Sequence, residues 1–402
     1  MLNSLRAATQ TTLANRVVLL AVAISVAVAA CTSGDGQGLP SPSSVAQADA
    51  QAAGATPALR LGLVTNIAAP TAERDARIVE LFRSAARTAS NEPGSVQIQI
   101  EEIRIDDSED VAGALDALLG LGITAVATTC DDGSVPQLVD AAIEADLLVV
   151  ASCITIPEIQ IETSDPLFFN TAALDDAPAA TARWATGLGD GDEPTRVATI
   201  SSDLVPGVIE VCEEVDDRVD QPNAPSTLAL SLHFTELIDD VGAVLDEAAG
   251  TLEEVDSIVV CALSPTVGEV VAGLRERGHD QPVVVPWFGA DEQWGPEISN
   301  VHIVAPTSAG GDDPSSAING LYAAIDVPTV LDVAVADSFV VLQSGVELSA
   351  SASPRRMVDA LSESALVEVP GGRFNPSSRV FQRDYRVIEL TNGNASFTTL
   401  VE

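Results

Sequence analysis

Polar segments directly follow two apolar, strand-like runs in the first half of the chain, and their side chains suit the binding of a small polar molecule. The runs are Ile123–Ala127 and Leu147–Ala151. The candidate ligand-binding residues that follow them are Asp131, Asp132, Ser134, Ser152 and Thr155. Carboxylates and hydroxyls hydrogen-bond such ligands, and the N-terminal N–H groups of the helices predicted next can hold a carboxylate. Helix N-capping is an alternative role for the first three residues, and it is compatible with binding.

The second half of the chain repeats this arrangement. Its candidates, which also follow strand-like runs, are Asp203, Ser264, Trp287 and Asp291. Aromatic residues make up only 3% of the chain, so a tryptophan at a strand end is informative. Trp287 can stack on a ligand or fill the interface between two lobes, and we favour the contact with a ligand.

No motif for covalent or phosphoryl chemistry accompanies these residues. Gly187–Gly191 is rich in glycine, but it precedes a strand-like run, which indicates a turn at a helix end rather than a phosphate loop. The sequence has no P-loop and no nucleophile elbow. Its three histidines, which show no metal-ligand spacing, are His233, His279 and His302. We therefore expect a binding protein without enzyme activity, metal or cofactor.

The N-terminal region predicts export and lipid attachment. Arg6 and Arg16 precede an uncharged run, Val17–Ala30, that is too short to span a bilayer, so residues 1–30 are typical of a signal peptide. The run ends in small residues directly before Cys31, an arrangement that resembles a bacterial lipobox. We expect cleavage before Cys31 and its modification by acyl chains such as palmitate. An ordinary cleaved signal peptide is the alternative.

The segment after this cysteine and the overall charge indicate where the protein is located and which partners it lacks. Residues 31–58 contain almost no bulky apolar side chains and predict a disordered tether to the membrane. The chain has 59 acidic and 19 basic residues, and its net charge of −40 repels nucleic acid and anionic lipid. We therefore expect an extracytoplasmic protein that has no nucleic-acid partner and touches the membrane only through its lipid anchor.

Strand-like and helix-like patterns alternate along the rest of the chain, which has the length of two domains rather than one. The first array of strands and helices runs from Leu61 to Ala151, and a second runs from Val197 to Trp287. Two such arrays in series predict an α/β protein with two doubly wound parallel-sheet lobes. Ligands of these sheets bind outside the carboxyl ends of the strands, which is where the candidate residues fall. A C-terminal hairpin is expected within residues 387–400.

Several segments, taken in order, resemble the type I periplasmic substrate-binding proteins, in particular the branched-chain amino-acid receptors of ABC importers. The segments are Gly122–Ser134, Asp146–Glu158, Phe169–Asp175, His233–Val260, Ala336–Leu342 and Gly371–Pro376. They span nearly the whole body of the chain. The resemblance implies two lobes joined by a multi-strand hinge, with the ligand in the cleft between them. The expected lobes are 59–173 with 305–350 for lobe 1, and 174–304 with 351–402 for lobe 2.

The resemblance also assigns roles to particular residues. It implies that Thr155 and the Asp131 position contact the amino and carboxyl groups of the ligand, and that an importer permease is the protein partner. The loops 66–70 and 202–206 lack the Ser-Gly and Tyr-Gly of the family. The ligand is therefore left open among amino acids, amides and similar molecules. A sensor or surface-interaction lipoprotein with a degenerate cleft is the alternative function.

Four cysteines remain after Cys31, an even number that suits an exported protein. In the strand order 2-1-3-4-5 of doubly wound sheets, the third and fourth strands are neighbours. Cys130 and Cys153 fall at the carboxyl ends of these strands, and neighbouring strands lie about 4.8 Å apart, so we expect a disulfide between them. Cys212 and Cys261 form either a second bridge or two buried thiols.

Overall fold

The computed structural model describes most of the chain that follows the predicted tether. The described residues are 58–69, 71–91, 96–130, 133–153, 165–171, 176–189, 193–203, 206–222, 224–235, 240–263, 265–289, 295, 298–306, 329–364 and 366–401. The predicted signal peptide, the lipidation site Cys31 and the predicted tether up to residue 57 lie outside these ranges, so the predictions made for them stay predictions.

The first sheet has five parallel strands. Its strands are β1 (Leu59–Asn66), β2 (Ile98–Ile105), β3 (Ala125–Ala127), β4 (Leu148–Ala151) and β5 (Phe168–Asn170). Its helices are α1 (Ala72–Ala89), α2 (Val111–Gly120) and α3 (Val135–Glu144). The strand order is β2-β1-β3-β4-β5 and every neighbouring pair is parallel, which confirms the predicted order. Val126 of β3 lies opposite Val149 of β4.

The amino acids of the central strands explain why helices cover both faces of this sheet. β3 is Ala-Val-Ala and β4 is Leu-Val-Val-Ala, and every residue of both is buried. Leu148 and Val150 belong to the core that includes α1, whereas Val149 and Ala151 belong to the core that includes α2 and α3. Continuous apolar runs of this kind are expected in parallel strands that are covered on both faces.

A second array of parallel strands and helices follows. Its strands are β6 (Thr195–Ser202), β7 (Ser226–Phe234), β8 (Ser257–Cys261), β9 (Val283–Pro286) and β10 (Val301–Pro306). Its helices are α4 (Ala177–Thr186), α5 (Pro206–Val219), α6 (Val241–Leu252) and α7 (Thr266–Glu276). The hydrogen-bonded neighbours among these strands are all parallel. The repeated alternation in the sequence therefore corresponds to a repeated arrangement in the fold.

A long helix and a small antiparallel sheet come next along the chain. They comprise α8 (Val330–Ser349), α9 (Pro354–Ser362), β11 (Val367–Val369), β12 (Gly372–Asn375) and β13 (Val380–Gln382). A capping box begins α8, because the Thr329 hydroxyl accepts from the Asp332 N–H and the Asp332 carboxylate accepts from the Thr329 N–H. The sequence does not predict the three strands, because three or four residues are too few to show an alternating pattern.

The last two strands complete the second sheet. They are β14 (Tyr385–Thr391) and β15 (Asn394–Leu400), which form the predicted C-terminal hairpin. β14 pairs antiparallel with β10, so the full order is β15-β14-β10-β9-β8-β6-β7. The strands of the two large sheets fall within the predicted lobes 1 and 2, apart from β10, which crosses the predicted boundary at residue 305. The lobe boundaries themselves stay a prediction.

A helix that spans a membrane must be both long and apolar. None of the described helices is by itself both long and apolar enough to cross a bilayer. α8 and α9 reach that composition only when taken together, and the chain bends by 90° between them.

Candidate functional site

The carboxyl ends of β3 and β4 lie side by side, and polar groups connect them. The N–H of Thr128 donates to the carbonyl of Val150 at 3.0 Å. The N–H of Ser152 donates to the hydroxyl of Thr128 at 3.2 Å. The hydroxyl of Thr129 donates to the carbonyl of Val64 in β1 at 3.4 Å. The first residues of both candidate loops are therefore held against the sheet.

A disulfide joins the same two strand ends. Cys130 and Cys153 are bonded, with their Cα atoms 5.3 Å apart, as the strand order predicts. The N–H of Cys130 also donates to the carboxylate of Asp75 in α1 at 2.8 Å. Asp75 is completely buried, and a buried carboxylate is tolerated only where donors of this kind face it. Asp75 lies three and four positions before Ile78 and Val79, so helical spacing places it on their buried face, but the sequence does not reveal its partner.

The other two described cysteines form a second bridge rather than two thiols. Cys212 of α5 is bonded to Cys261 at the end of β8, with a Cα–Cα distance of 6.0 Å. Both residues are completely buried in the core of the second array. This disulfide therefore ties a helix to its sheet from within the core.

Two of the predicted ligand residues of the first sheet lie in the described ranges. Ser134 is the N-cap residue of α3, but its side chain makes no capping hydrogen bond to the helix. Ser152 is completely buried, and its hydroxyl has no hydrogen-bond partner within the described part of the chain. Asp131, Asp132 and Thr155 lie outside the described residues, so their roles stay predictions.

On the second sheet, the described candidate at the end of β6 makes contacts with the neighbouring strand. The carboxylate of Asp203 accepts from the Thr235 hydroxyl at 2.7 Å, and the N–H of Asp203 donates to the Phe234 carbonyl at 3.1 Å. These contacts join the ends of β6 and β7. Ser264 and Asp291 lie outside the described residues. Over the described ranges, no three His, Cys, Asp or Glu side chains are grouped to hold a metal ion.

Trp287 lies in a single 3₁₀ turn that directly follows β9. Its side chain is completely buried, and the guanidinium carbon of Arg383 lies 5.3 Å from the centre of its ring. Such a cation–π contact is stronger when it is desolvated. Trp287 and Arg383 both fall in the predicted lobe 2, so the alternative role of Trp287, filling the interface between lobes, stays a prediction. Its contact with a ligand stays a prediction.

Arg383 is the centre of a buried polar network that the sequence does not reveal. Its guanidinium donates to the Asp337 carboxylate at 2.7 Å, to the Gly371 carbonyl at 2.9 Å and to the Thr171 carbonyl at 2.9 Å. The ring of Phe381 lies 4.9 Å from the guanidinium carbon. Arg383 thus joins the end of the first sheet, the helix α8, the small sheet and, through the tryptophan, the end of β9.

The other members of this network add further hydrogen bonds. The N–H of Gly371 donates to the Asp337 carboxylate at 2.7 Å. The Thr171 hydroxyl contacts the Ala151 carbonyl at 2.6 Å and the Ser338 hydroxyl at 2.6 Å. Burial raises the pKa of Asp337 above its ordinary value, and the charge of Arg383 and the hydrogen bonds to the carboxylate act against that rise. The network is therefore a structural junction, whereas the strand ends described above offer the groups that suit ligand binding.

Comparison with known proteins adds evidence about the fold. No protein-family model matches the sequence, and no curated protein matches it. Solved structures do match. A solute binding protein of an ABC transporter from Rhodopseudomonas palustris, in complex with benzoate, is 16% identical with a TM-score of 0.67, over 86% of this chain and 96% of that one.

Two other solved structures give the same result. A periplasmic binding protein type 1 from Bordetella pertussis is 13% identical with a TM-score of 0.64, over 85% of this chain and 99% of that one. The branched-chain amino acid transporter substrate binding protein LivJ from Streptococcus pneumoniae, in complex with isoleucine, is 14% identical with a TM-score of 0.63, over 86% and 99%. The predicted fold class is therefore confirmed, and the chain has the α/β fold of the type I periplasmic binding proteins.

Proposed function

We propose that this chain is an extracytoplasmic solute-binding protein of an ABC importer, and that it binds a small polar ligand between its two lobes. One observation carries the proposal: two arrays of parallel strands place polar residues at their carboxyl ends, where doubly wound sheets bind ligands. The fold likeness to solute-binding proteins that hold benzoate and isoleucine supports it.

The structure of the first sheet supports a ligand that carries a carboxylate. Ser134 stands at the N-terminus of α3, where the free backbone N–H groups can hold an anion, although Pro136 contributes none. The buried hydroxyl of Ser152 has no hydrogen-bond partner in the described chain, and a ligand atom or a water can satisfy it. Benzoate and isoleucine both carry a carboxylate. Asp131, Thr155 and Asp203 are the proposed partners for the other polar groups of the ligand.

Membrane attachment completes the proposed function. Acyl chains on Cys31 hold the mature protein at the outer face of the cell membrane, and residues 31–58 give the folded lobes the reach to dock on an importer permease. Mass spectrometry of the membrane fraction tests this part. A lipid-modified N-terminal Cys31 supports it, and a released form whose N-terminus lies elsewhere contradicts it.

A ligand screen tests the binding function. The protein is heated in the presence of L-amino acids, their amides, benzoate and hydroxybenzoates, each at millimolar concentration. A ligand that binds only the folded state at 100 times its Kd adds about 2.7 kcal/mol to the free energy of unfolding, which raises the Tm by several degrees. A chain that binds none of these classes contradicts the proposal.

One observation favours the alternative of a sensor or surface-interaction lipoprotein with a degenerate cleft. Trp287, the aromatic residue best placed to stack on a ligand, is completely buried against Arg383. The same screen separates the two functions, because the alternative predicts no Tm change with any small molecule.

A further inference from the structure

The two candidate loops of the first sheet begin at Cys130 and Cys153, and both points are attached to the body of the fold. The disulfide joins the loops to each other across neighbouring strands. The Asp75 carboxylate, 2.8 Å from the Cys130 nitrogen, joins the first loop to α1. The hydrogen bond from the Ser152 N–H to the Thr128 hydroxyl adds a third link. Three contacts of different chemistry therefore converge on the few residues at which the loops leave the sheet.

Asp75 is an unusual residue for a purely structural role. It is completely buried in α1, and the N–H that it accepts lies 55 positions away in sequence. Taking a carboxylate out of water is costly, and an apolar residue at a helix face stabilises a core at no such cost. A buried carboxylate has one effect that an apolar side chain lacks, because its hydrogen bond fixes the orientation of the backbone N–H that it accepts.

The two disulfides constrain different parts of the fold. Cys212 and Cys261 have no exposed surface and lie within the core, where a bridge links a helix to a strand. Cys130 and Cys153 retain 8% and 6% exposure and lie where strands become loops. The Cys130–Cys153 bridge therefore constrains the residues at which the loops begin, whereas the Cys212–Cys261 bridge constrains the packing of a helix against a strand.

We propose that Asp75 and the Cys130–Cys153 disulfide are a positioning device, which holds the ends of β3 and β4 so that Ser134 and Ser152 face the ligand in a preset arrangement. This inference rests on the proposed ligand-binding function. Binding then orders little of the first lobe, because the loop starts are already held before the ligand arrives. Preorganisation of this kind raises affinity by lowering the entropy that is lost on association.

Hydrogen–deuterium exchange of the ligand-free protein tests the device directly. The variants are Asp75→Ala, Asp75→Asn and the pair Cys130→Ala with Cys153→Ala. The matched control is the pair Cys212→Ala with Cys261→Ala, which also removes one disulfide. Asparagine keeps an oxygen that accepts from the Cys130 N–H, so Asp75→Asn serves as the conservative rescue.

The device predicts a local result. Backbone amides of residues 128–130, 133, 134 and 150–153 exchange at least tenfold faster in Asp75→Ala and in the Cys130/Cys153 pair than in the wild type. Exchange in these segments stays at the wild-type rate in Asp75→Asn and in the Cys212/Cys261 control, because local opening does not follow global stability. Unchanged exchange in the first two variants, or an equal increase in the control, overturns the inference. If Asp75→Ala does not fold, the exchange rates of the Cys130/Cys153 and Cys212/Cys261 variants are compared instead, and the same outcomes support or overturn the inference.

Affinity measurements extend the test to the ligand. With L-isoleucine and benzoate as probes, the Kd rises at least tenfold in the Cys130/Cys153 pair and stays within twofold in the Cys212/Cys261 control, although the control has the lower Tm. An equal Kd in the two pairs overturns the positioning role. A wild type that binds neither these probes nor any other class in the screen contradicts the proposed function, and the exchange data on the ligand-free protein then still decide whether the device holds the loops.

Discussion

Arg383 and Asp337 form an ion pair that is buried on both sides, with 2.7 Å between Nη1 and Oδ2. The pair spans 46 positions in sequence and joins the helix α8 to the segment between β13 and β14. Buried ion pairs contribute little net stability, but they specify one arrangement, because any other leaves a charge without a partner. In this fold the arrangement they specify is the junction at which the first sheet, α8 and the small sheet meet.

Removing one partner of this pair is expected to destabilise the protein strongly. Arg383→Ala leaves the Asp337 carboxylate buried without its cation, and we expect a loss of about 3–5 kcal/mol in the free energy of unfolding. Urea unfolding followed by circular dichroism measures it. The matched control is Arg373→Ala, which removes an exposed ion pair to Asp384 at 3.5 Å and should cost less than about 1 kcal/mol.

Replacing both Arg383 and Asp337 shows how much of the lost stability comes from an unpaired buried charge. The double variant Arg383→Met with Asp337→Leu leaves no buried charge, so it should unfold at a higher urea concentration than Arg383→Ala. A double variant that is less stable than the single variant would show that the hydrogen bonds of Arg383 to Gly371 and Thr171 matter more than the charge.

Gly371 is expected to tolerate no side chain. A Cβ atom at this position would lie 2.3 Å from Nη1 of Arg383 and 2.6 Å from Oδ2 of Asp337. Gly371→Ala should therefore cost about 1–3 kcal/mol through forced displacement of the ion pair. Gly113→Ala is the control, because nothing lies within 4 Å of its Cβ position in α2, and alanine there should stabilise the helix by up to about 1 kcal/mol. Equal Tm values for the two variants would contradict this reading.

The two disulfides should rank in the opposite order for stability and for binding. The bridges close 23 and 49 positions of sequence, so loop-closure entropy gives about 3 kcal/mol for Cys130–Cys153 and about 4 kcal/mol for Cys212–Cys261. Thermal unfolding of the two Cys→Ala pairs measures the difference. A larger loss of stability for the Cys130/Cys153 pair would contradict the expected ranking.

His302 is expected to make the stability fall in mild acid. Burial lowers the pKa of His302 below its ordinary value near 6.5, and the charge of Glu389 acts against that change. The unfolded chain therefore takes up a proton near pH 6.5 while the folded protein does not, so stability is full above this pH and declines as the pH falls below it. The ring packs on Trp184, with 5.8 Å between ring centres.

A phenylalanine at position 302 keeps an aromatic ring against Trp184 but removes the group that titrates. His302→Phe should show a smaller drop in Tm between pH 7.5 and pH 5.5 than the wild type. An equal drop in the two proteins would assign the acid sensitivity to other groups.

The sequence predicts the regular parts of this fold because their patterns are local. The elements β6 to β9 with α5 to α7 correspond to the array predicted from Val197 to Trp287, and the strand order of the first sheet follows from the alternation of strands and helices. β5, β11 and β13 have three residues each, too few to show a period, and unlike β3 each includes a polar residue, so only the structure reveals them. The helix α9 is not predicted either, whereas α4 ends at Thr186, directly before the Gly187–Gly191 turn that the sequence indicates at a helix end.

The candidate site also contains some residues whose contacts the sequence predicts and others whose contacts it does not. Cysteines at the ends of neighbouring strands could be paired from the sequence, because strand order sets their distance. Asp75 and Arg383 could not be assigned, because their partners lie 55 and 46 positions away and their environment is set by tertiary packing. Trp287 was identified from its rarity and position, and its neighbour Arg383 comes from a segment with no recognisable pattern.

Isothermal titration calorimetry of the mature protein with the ligand classes named above tests the central claim most directly. We expect at least one amino acid, amide or small aromatic acid to bind with a stoichiometry of one per chain and a Kd of about 10 μM or tighter, roughly −7 kcal/mol. Absence of a binding isotherm and of any Tm change across all of these classes would contradict it.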